Sequence, residues 1–112
     1  SMATPHAAGA MALIKEAYQK MGRNLEGRSL VQTIKAAAMN TAEPILDPRE
    51  IATASVGGKK GSLPYTPRVQ GAGMLQTAKA IKTPAIVTDL RGRAGVSLGE
   101  IRESTTFSLY LD

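Results

Sequence analysis

Three stretches of the chain repeat apolar residues at helical spacing, and one near the end alternates them as a strand does. From Ala3 to Met21 the residues are mainly strong helix formers, with Pro5 near the start, where a missing backbone donor is tolerated, and Gly22 as a stop. Within this stretch Ala7 to Ile14 carries no charge on any side, and Lys15, Glu16 and Lys20 come only later. That pattern predicts a helix whose first turns are buried all round. A second helix is predicted from Ser29 to Met39, where Leu30, Val31, Ile34 and Ala38 recur at helical spacing and Asn40 stops it. Thr41 and Ala42 are expected to leave it as extended chain.

The next region reads differently. Four prolines between Pro44 and Pro67, together with Gly57-Gly58, Lys59-Lys60 and Gly61, predict a long exposed loop, mobile and variable. A short strand around Ile51 is the most regular structure expected there, and Lys59-Lys60 is expected at a solvated loop tip. Gly71-Ala72-Gly73 then opens a third predicted helix running to Lys82, with Met74, Leu75, Ala78 and Ile81 on its apolar side and Pro84 ending it. Beyond it Ala85 to Thr88 is β-prone, Gly92 and Gly95 punctuate, and Thr105, Phe107, Leu109 and Leu111 alternate along one strand face. This change of texture places a domain boundary near Thr83 to Asp89. Met11, Met21, Met39 and Met74 are expected to fill core gaps.

Composition narrows the function classes. With no cysteine among 112 residues there is neither a disulfide framework nor a thiolate zinc site, although this says nothing about compartment. The 14 Lys and Arg give a net charge of +5 but are spread without a dense run, and one Phe and three Tyr leave little for base stacking. A nucleic-acid partner is therefore not expected. No apolar run approaches the about 20 residues of a membrane span, and the N-terminus shows no basic segment leading into an apolar stretch. One histidine and the dispersed carboxylates of Glu43, Asp47, Glu50 and Asp89 lack the spacing of a calcium loop. Gly71-Ala72-Gly73 lacks the preceding strand and the further glycine or lysine of a phosphate loop, so it reads as a helix-entry turn.

The candidate chemistry lies at the start. Ser1-Met2-Ala3-Thr4-Pro5-His6, followed by Ala7-Ala8-Gly9-Ala10, resembles the serine-containing signature of subtilisin-like serine proteases. A serine heading a helix holds its hydroxyl and backbone N–H at the positive end of the helix dipole, where an anionic tetrahedral intermediate is stabilised. The resemblance continues in Ile34-Lys35-Ala36-Ala37-Ala38-Met39-Asn40-Thr41-Ala42, similar to the family's next helix and following strand. It extends to Pro67-Arg68-Val69-Gln70-Gly71-Ala72-Gly73-Met74-Leu75, similar to its Gly-rich entry into the last helix of the catalytic domain. Val96 to Leu111 looks like the opening strands of the fibronectin-like domain that follows in the cell-envelope, lactocepin-type branch.

The resemblance implies an α/β fold. Residues 1–84 would be the C-terminal part of a subtilisin-like three-layer domain, with three helices and few strands. Residues 85–112 would be a linker and the first strands of a fibronectin-type-III-like β domain. It implies that Ser1 is the nucleophile and an oxyanion-hole N–H donor, provided that Ser1 is native; Ser-Met is also a pair left by expression tags, and both origins stay open. In the subtilisin order of Asp, His and Ser, the other two triad members lie upstream, so the chain alone is expected to be inactive. His6 is five residues further along the same helix, which puts it on another face, and the resemblance gives it a structural role. The implied partners are the remainder of the peptidase domain and a peptide substrate, with self-association expected in isolation. Secretion or attachment to the cell envelope is likewise an implication, as is a structural calcium ion in the parent, with no site mapped. A rival expectation is a free-standing structural or interaction module derived from such a protease.

Overall fold

The computed structural model describes residues 1–23, 27–49, 53–56 and 59–112. Its first helix, α1 (Ala3–Lys20), buries a single stripe: Ala10, Ile14 and Tyr18 are buried and Ala7, Met11 and Ala17 partly so. The spacing is that of one helical face. The turn after α1 closes as a Schellman motif, because Gly22 takes φ +76° and the N–H of Arg23 reaches back to the Tyr18 carbonyl at 2.9 Å. That turn lays the Arg23 guanidinium over the Tyr18 ring, 4.6 Å from its centroid.

The second helix, α2 (Gly27–Asn40), presents Ile34, Ala36, Ala37 and Ala38 to the interior. Three consecutive buried alanines are small enough for neighbouring chain to approach closely. Thr41, expected to be extended, instead closes the last turn of α2, its N–H reaching the Ala37 carbonyl at 3.2 Å and its hydroxyl donating to the same carbonyl at 2.7 Å, and the chain leaves the helix only at Ala42. A two-stranded antiparallel hairpin follows, β1 (Thr53–Val56) and β2 (Lys59–Ser62), pairing Thr53 with Ser62 and Val56 with Lys59. Next come a single helical turn, α3 (Pro67–Gln70), and a short helix, α4 (Thr77–Lys82). Last, β3 (Val87–Thr88) pairs antiparallel with β4 (Tyr110–Leu111).

One core joins these elements. Ile14 and Tyr18 of α1, Ile34 and Ala36 to Ala38 of α2, Ala80 of α4 and Ile86 before β3 form a buried cluster, with Met11, Leu30, Leu75, Ile81 and Ala94 packed on it. At its centre the Tyr18 hydroxyl donates to the Ala80 carbonyl at 2.8 Å.

Several sequence expectations are corrected. The first turns of α1 are not buried all round: Ala8, Gly9, Ala12 and Leu13 are exposed, Leu13 by 57%, because α2 and α4 cover only the stripe ending at Tyr18. The long loop contains the β1–β2 hairpin, whose cross-strand pairing takes in Lys59 and Lys60 instead of leaving them at a loop tip. Ile51 and Gly57-Gly58 lie outside the described residues. The third helix does not start at Gly71. Gly71 (φ +61°) and Gly73 (φ +119°) break the helical path, and Met74 pairs with Glu43 in an antiparallel bridge, so α4 begins only at Thr77. Met21 and Met74 are more than half exposed, not core fillers, whereas Met11 packs on the core. Of the strand predicted over Thr105 to Leu111 only Tyr110–Leu111 is paired, and residues 89–109 carry no strand.

Two predictions follow from this packing. Tyr18→Phe leaves a buried carbonyl without its donor and should cost about 1–2 kcal/mol in denaturant unfolding. Burial holds the Tyr18 phenol above its ordinary value of 10.0, with Arg23 opposing. The folded state therefore disfavours phenolate, so this stability is complete below about pH 10 and is lost as pH rises toward and through the raised folded value. A melt series at alkaline pH should show that loss in the wild type, with Tyr18→Phe lacking this component.

A Cβ at Gly73 would stand 2.3 Å from the Glu43 carbonyl oxygen, at a φ of +119°. Gly73→Ala should therefore destabilise by about 3 kcal/mol. A Cβ at Gly9 meets nothing within 4 Å, and Gly9→Ala, inside α1, should stabilise by about 0.5–1 kcal/mol. Equal unfolding midpoints for the two variants would refute this account of the 71–74 turn.

Candidate active site

Ser1 and Met2 precede the first helical residue, Ala3, so Ser1 stands exposed at the head of an 18-residue helix. The first turn of α1 carries no acidic side chain and no side-chain cap. Its free N–H groups and the positive end of the dipole therefore face the serine unneutralised. Pro5 sits within this first turn, where its missing N–H costs the helix nothing.

His6 faces a different partner. Its Nδ1–H donates to the Met2 carbonyl at 2.7 Å, four residues back, tying the side chain to the helix start. A carbonyl can only accept, so Nδ1 carries the hydrogen of this bond. Among the described residues no hydrogen bond joins Ser1 to His6 or to any carboxylate. The structure thus does not assemble a base and an acid around Ser1 from these residues.

The two buried carboxylates are engaged elsewhere. Asp47 accepts from the Arg49 backbone N–H at 3.0 Å and from its Nε at 2.8 Å, with Arg49 Nη2 closing a forked pair. This hydrogen bonding holds the Asp47 carboxyl below its ordinary range against the opposing effect of desolvation. Asp89 accepts from the backbone N–H groups of Arg93 at 2.8 Å and Arg91 at 2.9 Å and from Arg93 Nε at 2.7 Å. It too is held low, chiefly by the Arg93 backbone N–H. These are loop-forming roles. Among the described residues no group of three His, Asp or Glu side chains is placed to hold a metal ion. Glu50 lies outside them.

Sequence reasoning missed the polar residue that organises the segment after the hairpin. Gln70 accepts the Ile45 N–H through Oε1 at 2.6 Å and donates through Nε2 to the Tyr65 carbonyl at 2.6 Å. Glu43 and Met74 exchange backbone bonds of 2.9 and 2.7 Å beside it, and Lys79 pairs with the Glu43 carboxylate. The Gly-x-Gly pattern after Gln70 signalled a turn, but nothing local signalled which extended strand it would meet. No described helix is long and apolar enough to cross a membrane.

A serine at the exposed head of a long helix, with a histidine one turn further on and a Gly-rich turn entering the last helix, is the pattern of the subtilases. The subtilase family's profile matches residues 1–73, and the chain belongs to that family. Among curated proteins it is similar to the PII-type proteinase of Lactococcus lactis subsp. cremoris, with 31% identity over 97% of this chain and 6% of that protein. The PIII-type proteinase of strain SK11 matches to the same extent. The minor extracellular protease Vpr of Bacillus subtilis (strain 168) is 38% identical over 79% of the chain and 8% of its own length. The chain thus spans less than a tenth of each of these relatives. No solved structure matches it.

The low-held carboxylates carry a pH dependence. A folded-state value below the ordinary 3.8 means that Asp47 and Asp89 contribute stability above the unfolded-state value and lose it as pH falls through the folded value. Urea midpoints measured from neutral pH down to about pH 2 should fall through this acid range. Asp89→Asn should be less stable at neutral pH and flatter in acid; an unchanged acid slope would show that the Asp89 loop is not coupled to folding.

Proposed function

We propose that the chain is the serine-bearing segment of a secreted subtilisin-like endopeptidase that hydrolyses peptide bonds through an acyl-enzyme. The observation that carries this reading is the position of Ser1 at the uncapped N-terminus of α1, at the first position of the family match. Ser1 Oγ attacks the scissile carbonyl carbon and passes its proton to a histidine outside these residues, which an aspartate orients. The oxyanion is held by the Ser1 backbone N–H and by an asparagine, also outside them. That histidine returns the proton to the scissile nitrogen as the C–N bond breaks and the amine product leaves, and it then takes a proton from water, which hydrolyses the ester, releases the acid product and frees Ser1.

Location follows the same reading: a relative is by its name an extracellular protease, and this chain is proposed to act outside the cell or at its envelope. The exposed apolar residues of α1, Ala8, Ala12 and Leu13, would meet the remainder of the peptidase domain. Residues 85–112 would be a linker and the first strands of a fibronectin-like domain, a reading supported by the antiparallel β3–β4 pair. The rival, a non-catalytic module of subtilase descent, draws on the closed core that α1, α2, α4 and Ile86 form together.

The chain alone should not hydrolyse peptides and should not be labelled by a fluorophosphonate probe, since it lacks both the histidine and the aspartate of the triad. In the full enzyme, Ser1→Ala should lower turnover by roughly 10⁶-fold, the scale for which subtilisin is the reference case. His6→Ala should mainly lower stability, by about 1 kcal/mol, through loss of its bond to Met2. Stoichiometric labelling of Ser1 in the 112-residue chain, or equal inactivity of folded Ser1→Ala and His6→Ala enzymes, would refute this reading.

A further inference from the structure

The chain does not leave the core after α4. Ile86 is 7% exposed, and Ala94 packs on the same cluster as residues of α1, α2 and α4. Between them the backbone is tied to α2 at two points: the Val87 N–H donates to the Asn40 side chain at 2.5 Å, and the Gln32 side chain donates to the Arg91 carbonyl at 3.0 Å. Gln32 and Asn40 stand about 12 Å apart along the helix. The turn between the two ties closes on the buried Asp89, whose N–H donates to the Arg93 carbonyl at 2.8 Å and whose carboxylate accepts the N–H groups of Arg91 and Arg93. At the other end of the segment, Ile86 and Asp112 exchange backbone bonds of 2.7 and 2.9 Å and so prolong the β3–β4 pair. Among the described residues no backbone hydrogen bond engages residues 95–109.

We infer that residues 86–94 and 110–112 form a clasp that fixes the β3–β4 pair along α2, so that a β domain continuing from β4 is held at a set bearing to the peptidase segment. A linker between independent domains is polar chain with few contacts crossing it. Here the crossing contacts are specific. Two strands of two residues each cannot hold together in water by themselves, so the pair depends on the helix that supplies partners to its backbone. One anchor would fix only a position, whereas anchors at Gln32 and Asn40 also fix a direction. This inference rests on reading residues 85–112 as the passage from the peptidase domain into the next, and it replaces a flexible passage with a stiff one.

Amide hydrogen exchange on the 112-residue chain, followed residue by residue by NMR, tests the clasp. In the wild type the amides of Ile86, Val87 and Asp112 should exchange about a hundredfold more slowly than those of residues 97–106. Asn40→Ala keeps a strong helix former at the end of α2 and removes only the acceptor, and it should speed exchange at these three amides about tenfold. Asn40→Asp keeps an acceptor oxygen and should stay close to the wild type. Gln32→Ala should act most on the Gly92 and Arg93 amides. Loss of protection in α1 together with the clasp amides in Asn40→Ala would mean that clasp and helices open as one unit, which also supports the inference. Wild-type exchange at Ile86, Val87 and Asp112 as fast as at residues 97–106 would overturn it, as would unchanged protection in Asn40→Ala. Both readouts concern the hold on α2 alone, so the fibronectin-like reading stands or falls separately, on the fold of the β domain in the parent enzyme.

Discussion

The hydrogen bond from the Tyr18 hydroxyl to the Ala80 carbonyl is the constraint around which the rest of the chain is arranged. Both residues are fully buried, so neither group has water as an alternative partner, and α4 must lie where its carbonyl meets the phenol. The buried Ala36, Ala37 and Ala38 of α2 belong to the same core cluster, where small side chains favour close approach of neighbouring elements. The Tyr18 contact also sets the exit from α1, since the Gly22 turn brings Arg23 back over the same ring. A single aromatic side chain thus links two elements 62 residues apart in sequence.

Outside the helices the chain is held by polar ties to backbone groups that would otherwise lack partners. Asn40, the last residue of α2, accepts the Val87 N–H at 2.5 Å and so docks β3 against the helix end. Gln32 donates to the Arg91 carbonyl at 3.0 Å and fixes the 89–93 turn, where Gly92 takes φ +73° close beside the Gln32 side chain. Gln70 does the same for residues 45 and 65. Each tie is one side chain serving a distant main chain, so long irregular segments keep a defined path with little apolar burial of their own.

This arrangement leaves the first turn of α1 uncovered, and that exposure joins the fold to the proposed chemistry. The core begins at Ala10, two turns beyond the serine, while His6 is occupied with the Met2 carbonyl. The helix is anchored at its far end and presents its N-terminus. The proposed nucleophile would need groups that these residues do not supply, in keeping with a chain that spans 6% of its lactococcal relatives.

What the sequence by itself determined was local in origin. The two long helices and their ends were legible because helix formers, Gly22 and Asn40 act within one or two turns. The family was legible because the Ser1 to Ala10 signature is contiguous. Tertiary structure decided whatever depended on partners distant along the chain. An uncharged stretch from Ala7 to Ile14 reads as fully buried, yet the elements present reach only one stripe of it. Met74 reads as helical, but its backbone pairs with Glu43, and two glycines at positive φ make that pairing geometrically accessible. Lys59 and Lys60 read as loop residues, and cross-strand pairing opposite Val56 and Ser55 places them in a hairpin. Strand pairing and coverage are set by which backbone and which surface arrive from elsewhere, and periodicity records only a residue's own preference.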